Sequence, residues 1–178
     1  MRAGAGCYTD SQSLGYLDCA GEAVNPQEGR EFARAALVAV FGREPFSGEI
    51  NHLDGIAALE TSRGAGWKGA GKGSYNMGAI QADKSWKGDV FSYTDTHPNA
   101  DGTSTVYRVG FRKYATPEEG YADLCRVAYA QRNRNNLVRV PAELGNTYGV
   151  SAGLYDTGYY EGFGAGATKA ERRAARIS

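Results

Sequence analysis

The feature that most constrains the fold is a change of pattern in the middle of the 178-residue chain. Residues 64–78 are rich in glycine, which is typical of loops. Residues 90–95 and 103–114 are rich in the valine, tyrosine, threonine and phenylalanine that favour strands. A turn-forming cluster at residues 97–102 separates these two segments and predicts a hairpin. Since helical patterns lie on both sides, the chain is expected to form one α+β domain.

Capping residues mark where the helices begin. Residues 25–28, Asn-Pro-Gln-Glu, predict the start of a first helix, and Gly42 is expected to end it. Ser47 is expected to cap a second helix, which Gly64 terminates. Residues 1–24 have an irregular pattern, so the domain is expected to span residues 25–178.

Three later helices are expected. Residues 116–119, Thr-Pro-Glu-Glu, form a capping box for a third helix. A further helix is predicted from Pro141 to about Thr157, closing at Gly158. Residues 168–171 contain another capping box, which predicts a last, charged helix.

Glu60 is the first candidate for a catalytic residue. Ile50, Leu53 and Ala57 form an apolar stripe on the second helix, and Glu60 is the next position along it. Burial and the negative end of the helix dipole both favour a protonated carboxyl, which a general acid needs. The alternative is an ordinary glutamate near a helix end, paired with Arg63.

Several short motifs follow in a fixed order along the chain. They read Glu-Thr-Ser-Arg-Gly at 60–64, Ser-Tyr-Asn-Met-Gly-Ala-Ile-Gln at 74–81, Trp-Lys-Gly at 86–88, Thr-Asp at 94–95, Phe-Arg-Lys-Tyr at 111–114 and Thr-Gly-Tyr-Tyr at 157–160. This order resembles the bacterial and phage β-N-acetylglucosaminidases, which include flagellar and autolysin glucosaminidase domains. The resemblance extends from about residue 50 to about residue 162. It implies a lysozyme-like fold, mainly helical, with substrate bound between an α-lobe and a small β-hairpin lobe.

The resemblance implies a pair of acidic residues. Glu60 takes the place of the catalytic acid, and Asp95 matches the second acidic residue on the β-lobe, where the family has glutamate. Glycoside hydrolysis normally uses two carboxyl groups, so Asp95 is a candidate to position or deprotonate water. The alternatives are that Asp95 is a turn residue, or that the acetamide of the substrate assists instead.

Five further residues are candidates for substrate binding. By the resemblance, Tyr75, Asn76 and Gly78 line the cleft, and Tyr159 lies near the acid. Trp67 is a candidate to stack on a sugar ring. Asn76 has an alternative role in fixing the turn before Gly78, and Tyr159 has an alternative role in the core.

The expected function is hydrolysis of the β-1,4 glycan strand of bacterial peptidoglycan at N-acetylglucosamine. A muramidase or a lytic transglycosylase of the same fold is an alternative, since a transglycosylase needs only one acid. A non-catalytic glycan-binding or structural module of a phage tail or secretion machine is a second class. Residues 1–10 lack the apolar core of a secretory signal. Delivery to the cell wall by lysis, injection or a virion is therefore expected, as for a phage endolysin.

Composition limits the other partners. Basic and acidic residues balance at 20 each, so nucleic acid is not expected as a ligand. No apolar run approaches the roughly 18 residues of a membrane span. Neither His52 nor His97 lies in a metal-ligand pattern, and no cofactor or metal is expected. Cys7 and Cys19 are able to form a small disulfide loop, whereas Cys125 is expected to be a buried free thiol.

Overall fold

The computed structural model describes residues 24–98 and 102–159. The predictions for residues 1–23, for the Cys7–Cys19 disulfide and for the capping box at residues 168–171 lie outside this part of the chain. The described residues form five α-helices, a short 3₁₀ helix (Gly69–Gly71), two π-helical segments (Arg126–Ala130 and Asn135–Arg139) and one hairpin. The α-helices are α1 (Pro26–Phe41), α2 (Ser47–Thr61), α3 (Pro117–Cys125), α4 (Val140–Glu143) and α5 (Thr147–Asp156), and the strands are β1 (Val90–Pro98) and β2 (Ser104–Arg112).

The start and end of α1 are confirmed. The Asn25 side chain accepts hydrogen bonds from the amides of Gln27 and Glu28, and the Glu28 carboxylate accepts one from the Asn25 amide. Gly42 closes the helix in the left-handed conformation, with φ 68°. A capping box and a C-terminal glycine thus set both ends of this helix.

The ends of α2 differ by a few residues from the prediction. Phe46 occupies the capping position, and the Glu49 carboxylate accepts a hydrogen bond from its amide at 2.8 Å. The prediction that Gly64 ends the helix is wrong, because Ser62 already adopts the left-handed conformation with φ 48°. Its amide donates to the Ala58 carbonyl at 3.0 Å and closes the last turn.

The prediction of one continuous helix over residues 141–157 is also wrong. Gly145 has a φ of 69°, which interrupts the helical path. Asn146 then caps a new helix, since its side chain accepts a hydrogen bond from the Gly149 amide at 2.9 Å. The segment therefore forms α4 and α5, and the chain turns at Gly158 as expected, with φ 68°.

The predicted hairpin is confirmed. Strands β1 and β2 pair antiparallel, from Val90 opposite Arg112 to Pro98 opposite Ser104. The base of the hairpin is tied to the preceding loop, because the Arg112 amide donates to the Ile80 carbonyl at 3.0 Å. Towards the tip, Val106 is 65% exposed, so the outer half of the hairpin extends into solvent.

The core lies between α1, α2, α3 and α5. Cys125 is fully buried there as a free thiol, as predicted, and burial raises its pKa to about 12. Within the described ranges, none of the helices combines the length and the apolar character needed to cross a membrane. The large side chains that are fully buried include Leu37, Leu53, Met77, Tyr121 and Tyr129.

Candidate active site

Glu60 lies on the wall of an open groove between α2 and α5. It is the last residue but one of α2 and is half-buried. The groove has a volume of about 390 Å³, and Leu59 at its edge is 70% exposed. Its lining is mostly apolar, and comprises Asn51, His52, Gly55, Ile56, Leu59 and Glu60 from α2 and Thr147, Val150, Ser151 and Leu154 from α5.

His52 joins the two helices that form this groove. Its Nδ1 is 2.8 Å from the Gly48 carbonyl oxygen on its own helix. Its Nε2 is 3.0 Å from the Thr147 hydroxyl at the start of α5. The imidazole therefore fixes the spacing of the groove walls.

A short backbone segment, residues 76–78, connects the end of α2 to the rest of the site; we call it the strap. Its three successive carbonyl oxygens each accept a hydrogen bond from a different part of the chain. The first accepts from Trp67 Nε1 at 2.8 Å, the second from the Thr61 hydroxyl at 2.9 Å and the third from the Tyr159 hydroxyl at 3.1 Å. Because Thr61 follows Glu60 directly, the strap is anchored beside the candidate acid.

The Asn76 side chain forms hydrogen bonds with buried backbone groups of the protein. It is fully buried, and its amide nitrogen donates to the Ile80 and Arg112 carbonyls at 2.9 and 2.8 Å. Its amide oxygen accepts from the Ile80 amide at 2.8 Å. These bonds join the strap to β2, which favours the alternative role of Asn76 in fixing the turn before Gly78.

Gly78 has no room for a side chain. A Cβ at this position would lie 2.6 Å from Leu124 Cδ1 and 2.6 Å from the Tyr159 hydroxyl oxygen. The close approach lets Tyr159 reach the strap while its ring lies over the Arg134 guanidinium, 5.3 Å from the ring centroid. The structure therefore brings Gly78 and Tyr159 together, while the expected position of Tyr159 near the acid stays a prediction.

Trp67 packs at the base of the hairpin. Its ring centroid lies 4.9 Å from that of Phe91, 5.5 Å from that of Tyr93 and 5.0 Å from that of Phe111. It is half-buried, and together with Tyr75 it lines a second cavity of about 120 Å³ beyond the end of α2. Trp67 and Tyr75, both predicted to bind substrate, therefore share one cavity.

Asp95 lies in the outer half of the hairpin. Its backbone pairs with Tyr107 in the antiparallel register. The predicted position of this residue on the β-lobe agrees with this register, and its role as a second carboxylate stays a prediction.

A buried ionic network, which the sequence did not reveal, lies on another face of α2. Arg63 Nε and Nη2 donate to the two carboxylate oxygens of Asp54, each at 2.8 Å. The Tyr121 hydroxyl from α3 donates to the same carboxylate at 2.9 Å. The network joins residues up to 67 positions apart, so no local sequence pattern predicts it.

The described part of the chain contains no group of three or more histidine, cysteine, aspartate or glutamate side chains suited to a metal ion. The candidate site comprises Glu60 on the groove wall and the strap, supported by the hydrogen bonds of Asn76 and by the Asp54–Arg63–Tyr121 network.

No protein-family model and no curated protein matches the sequence. Among solved structures, the peptidoglycan hydrolase of Sphingomonas sp. A1 is 22% identical, with a TM-score of 0.53 over 83% of this chain and 81% of that chain. A mutant of the same hydrolase is 23% identical, with a TM-score of 0.55 over 87% and 88%. The catalytic domain of the autolysin Auto from Listeria monocytogenes is 17% identical, with a TM-score of 0.54 over 85% and 80%.

The chain shares the fold of these proteins. The expected fold class, a mainly helical α+β fold of the lysozyme-like type with a small hairpin lobe, is confirmed. At these identities the likeness concerns the fold alone.

Proposed function

We propose that this protein is a peptidoglycan hydrolase that cleaves β-1,4 bonds at N-acetylglucosamine, with Glu60 as the general acid, and that it acts at the bacterial cell wall. The observation that carries the proposal is the position of Glu60, at the end of α2 on the wall of an open, mostly apolar groove. The fold shared with solved peptidoglycan hydrolases supports the same substrate class.

The groove suits the acid step. An apolar wall favours the protonated form of a carboxyl group, and a general acid needs that form to protonate the leaving glycosidic oxygen. Proton transfer to that oxygen breaks the glycosidic bond through an oxocarbenium-like transition state. Water then adds to the sugar cation, and the proton that it releases passes to Asp95 or returns to the ionised Glu60. Asp95 or the substrate's own acetamide assists this second step.

The five candidates for substrate binding fall into two groups: residues that can contact the substrate, and residues that shape the backbone of the site. The Tyr159 hydroxyl donates to the Gly78 carbonyl at 3.1 Å, and it is the candidate to contact the acetamide of the substrate. Tyr75 and Trp67 offer aromatic surface in the cavity beyond α2. Asn76 and Gly78 contribute indirectly, because they shape the strap rather than present a polar side chain to the groove.

The first test is the loss of turbidity of purified peptidoglycan with wild type, Glu60→Gln and Glu118→Gln. Glutamine keeps the shape of Glu60 but has no transferable proton, so a loss on the order of 10² to 10⁴ in rate is expected. Glu118 is an exposed first-turn residue of α3, and its variant is the matched control that should keep the wild-type rate. A folded Glu60→Gln protein that clears peptidoglycan at the wild-type rate would refute the proposal.

Product ends separate the alternatives. A reducing N-acetylglucosamine end is expected. A reducing N-acetylmuramic end would indicate a muramidase, and an anhydro end would indicate a lytic transglycosylase. If no peptidoglycan is cleaved yet the protein still binds it, a glycan-binding or structural module becomes the better account.

A further inference from the structure

A third cavity, of about 550 Å³, lies between α3 and the loops at the base of the hairpin; we call it the α3 cavity. Of the described residues, none lines both this cavity and either the groove of Glu60 or the cavity of Trp67 and Tyr75. The α3 cavity therefore presents side chains to which the proposed hydrolysis assigns no role. Its polar and aromatic lining includes Trp86, Asp89, Lys113, Glu119, Asp123 and Arg126.

Asp123 contributes a buried carboxylate with one uncommitted oxygen. The residue is 8% exposed, and its Oδ2 accepts from Arg112 Nη1 at 2.8 Å and from the Tyr114 hydroxyl at 2.6 Å. No described residue donates to its Oδ1. Because every buried side-chain nitrogen or oxygen in the described ranges has a partner, Oδ1 is accessible at the cavity wall. This oxygen can accept a hydrogen bond from an N–H or ammonium group of a ligand.

Two cations stand on the rim of the α3 cavity. Lys113 directly follows β2 and Arg126 directly follows α3, and both side chains are exposed. Within the part of the chain that the structure describes, neither side chain forms an ion pair or a hydrogen bond. Both are therefore available to bind a carboxylate of a ligand, which is the anion that arginine and lysine pair with most often in proteins.

Trp86 forms the apolar part of the cavity wall. Its ring lies over the Arg112 guanidinium, 4.8 Å from the ring centroid, and its Nε1 donates to the Asp89 carbonyl at 3.0 Å. On another side, a Cβ on Gly88 would lie 2.5 Å from the ring. These contacts fix the ring in place. Because the residue is only half-buried, its accessible surface can pack against small apolar groups of a ligand.

Two further carboxylates line the α3 cavity, so its wall carries both signs of charge. The Glu119 carboxylate accepts a hydrogen bond from the Ala115 amide at 2.9 Å, and no described cation pairs with Asp89. Three carboxylates on the wall disfavour a ligand that carries negative charge alone. A ligand that combines a carboxylate with N–H or ammonium donors complements the wall better.

We propose that the α3 cavity binds a peptide stem of peptidoglycan, with a stem carboxylate on Lys113 and Arg126 and a stem N–H or ammonium group on Asp123. The inference rests on the proposed function, because a peptidoglycan hydrolase meets the stems together with the glycan strand. A stem carries amide N–H donors, free carboxylates and the methyl groups of alanine, and these methyl groups can pack on Trp86. Since stems project from the strand, a stem can bind in a cavity other than the groove of Glu60.

The first test is calorimetric titration with the synthetic pentapeptide acetyl-L-Ala–γ-D-Glu–L-Lys–D-Ala–D-Ala. Each exposed charge contact contributes up to about fivefold in affinity, so Lys113→Gln/Arg126→Gln should raise Kd about tenfold. Arg30→Gln/Lys84→Gln is the matched control, because it removes the same two charges from exposed residues that do not line the α3 cavity. All four side chains are exposed, so both variants should keep the wild-type Tm. No heat of binding at millimolar peptide, or an equal Kd for both variants, would overturn the stem site.

The second test compares clearance of intact peptidoglycan with clearance of glycan strands from which an amidase has removed the stems. The ratio of the two rates should fall for Lys113→Gln/Arg126→Gln and stay at the wild-type value for the control. An unchanged ratio would overturn a contribution of the cavity to wall binding. If Glu60→Gln is inactive but the peptide does not bind, the stem site fails and the hydrolase remains. An active Glu60→Gln overturns the proposed function, whereas the calorimetry still decides whether the cavity binds the stem, because that binding requires no cleavage.

Discussion

Replacing Thr61 by valine removes the hydroxyl that ties the end of α2 to the strap. Thr61 is 5% exposed, and its hydroxyl donates to the Met77 carbonyl at 2.9 Å. The same oxygen accepts a hydrogen bond from the Gly64 amide at 3.0 Å. Valine has nearly the same shape, so the substitution creates no cavity and isolates the effect of the hydrogen bonds.

The magnitude follows from the two backbone groups left behind. A buried polar group without its partner costs about 1–3 kcal/mol. Loss of both bonds is therefore expected to lower the free energy of unfolding by about 2–6 kcal/mol. For a chain of this size, a loss near 3 kcal/mol lowers Tm by about 6–12 °C. Thr61→Ser keeps the hydroxyl and loses one methyl group, which costs about 1 kcal/mol.

Urea unfolding and peptidoglycan clearance of the same samples provide the assay. The folded Thr61→Val protein should also turn over about tenfold more slowly, because small misplacement of a catalytic group costs rate. Equal stability of the valine and serine variants would refute the reasoning, since the hydroxyl would then contribute nothing. Lower stability with an unchanged turnover rate would limit the strap to a structural role.

Three further predictions concern residues outside the groove. Glu49→Gln should lower the free energy of unfolding by about 3–5 kcal/mol in urea, because it leaves Arg43 and Arg139 without their fully buried carboxylate. Burial alone would raise the pKa of Glu49, but these arginines and the amide of Phe46 lower it below the usual 4.5. The stabilisation that the ionised Glu49 gives to the folded protein is therefore complete above pH 4.5, and it is lost as the pH falls through the lowered pKa of the folded state. Because the Glu49→Gln variant lacks this group, its Tm should fall less steeply with decreasing pH than the Tm of the wild type. Ser62→Gly should stabilise the protein by about 0.5–1 kcal/mol in the same assay, because φ is 48°. Cys125 should resist alkylation at pH 8 until the protein unfolds, as followed by peptide mass spectrometry, because burial raises its pKa to about 12.

Each of these predictions has an outcome that would contradict it. A Glu49→Gln variant with the same steepness of Tm against pH would show that another group sets the acid limit. A destabilised Ser62→Gly variant would mean that the serine side chain contributes more than its backbone costs. Alkylation of Cys125 in the native protein would indicate that the core opens around α3.

The helix ends that were predictable are those set by local hydrogen bonds. Asn25 and Gly42 bound α1 as expected, since capping depends on residues within one turn. The break at residues 144–146 carried a local signal, Gly145 followed by Asn146, but the helical pattern on both sides masked it. The end of α2 at Ser62 carried no such signal, because serine adopts positive φ only where tertiary contacts hold it.

Some features of the candidate site could likewise be predicted from the sequence, and others could not. Periodicity placed Glu60 on its helix, and the structure puts that helix position on the groove wall. Asp54 and Tyr121 were not predictable as partners, since 67 residues separate them and either side chain alone is unremarkable in sequence. Asn76 fits the motif, but only the structure shows that its amide is bound to the backbone of Ile80 and Arg112.

Tyr159 is the residue at which structural support and substrate contact can be separated by one substitution. Tyr159→Phe removes the hydrogen bond to the Gly78 carbonyl at 3.1 Å, which should cost about 1 kcal/mol of stability. If the hydroxyl also accepts from the substrate acetamide, KM or the turnover rate should worsen about tenfold in the folded protein. This loss should change in size for glycan substrates without the acetyl group, because a free amine replaces the amide N–H. A stability loss with unchanged kinetics on both substrates would instead make Tyr159 a support of the strap alone.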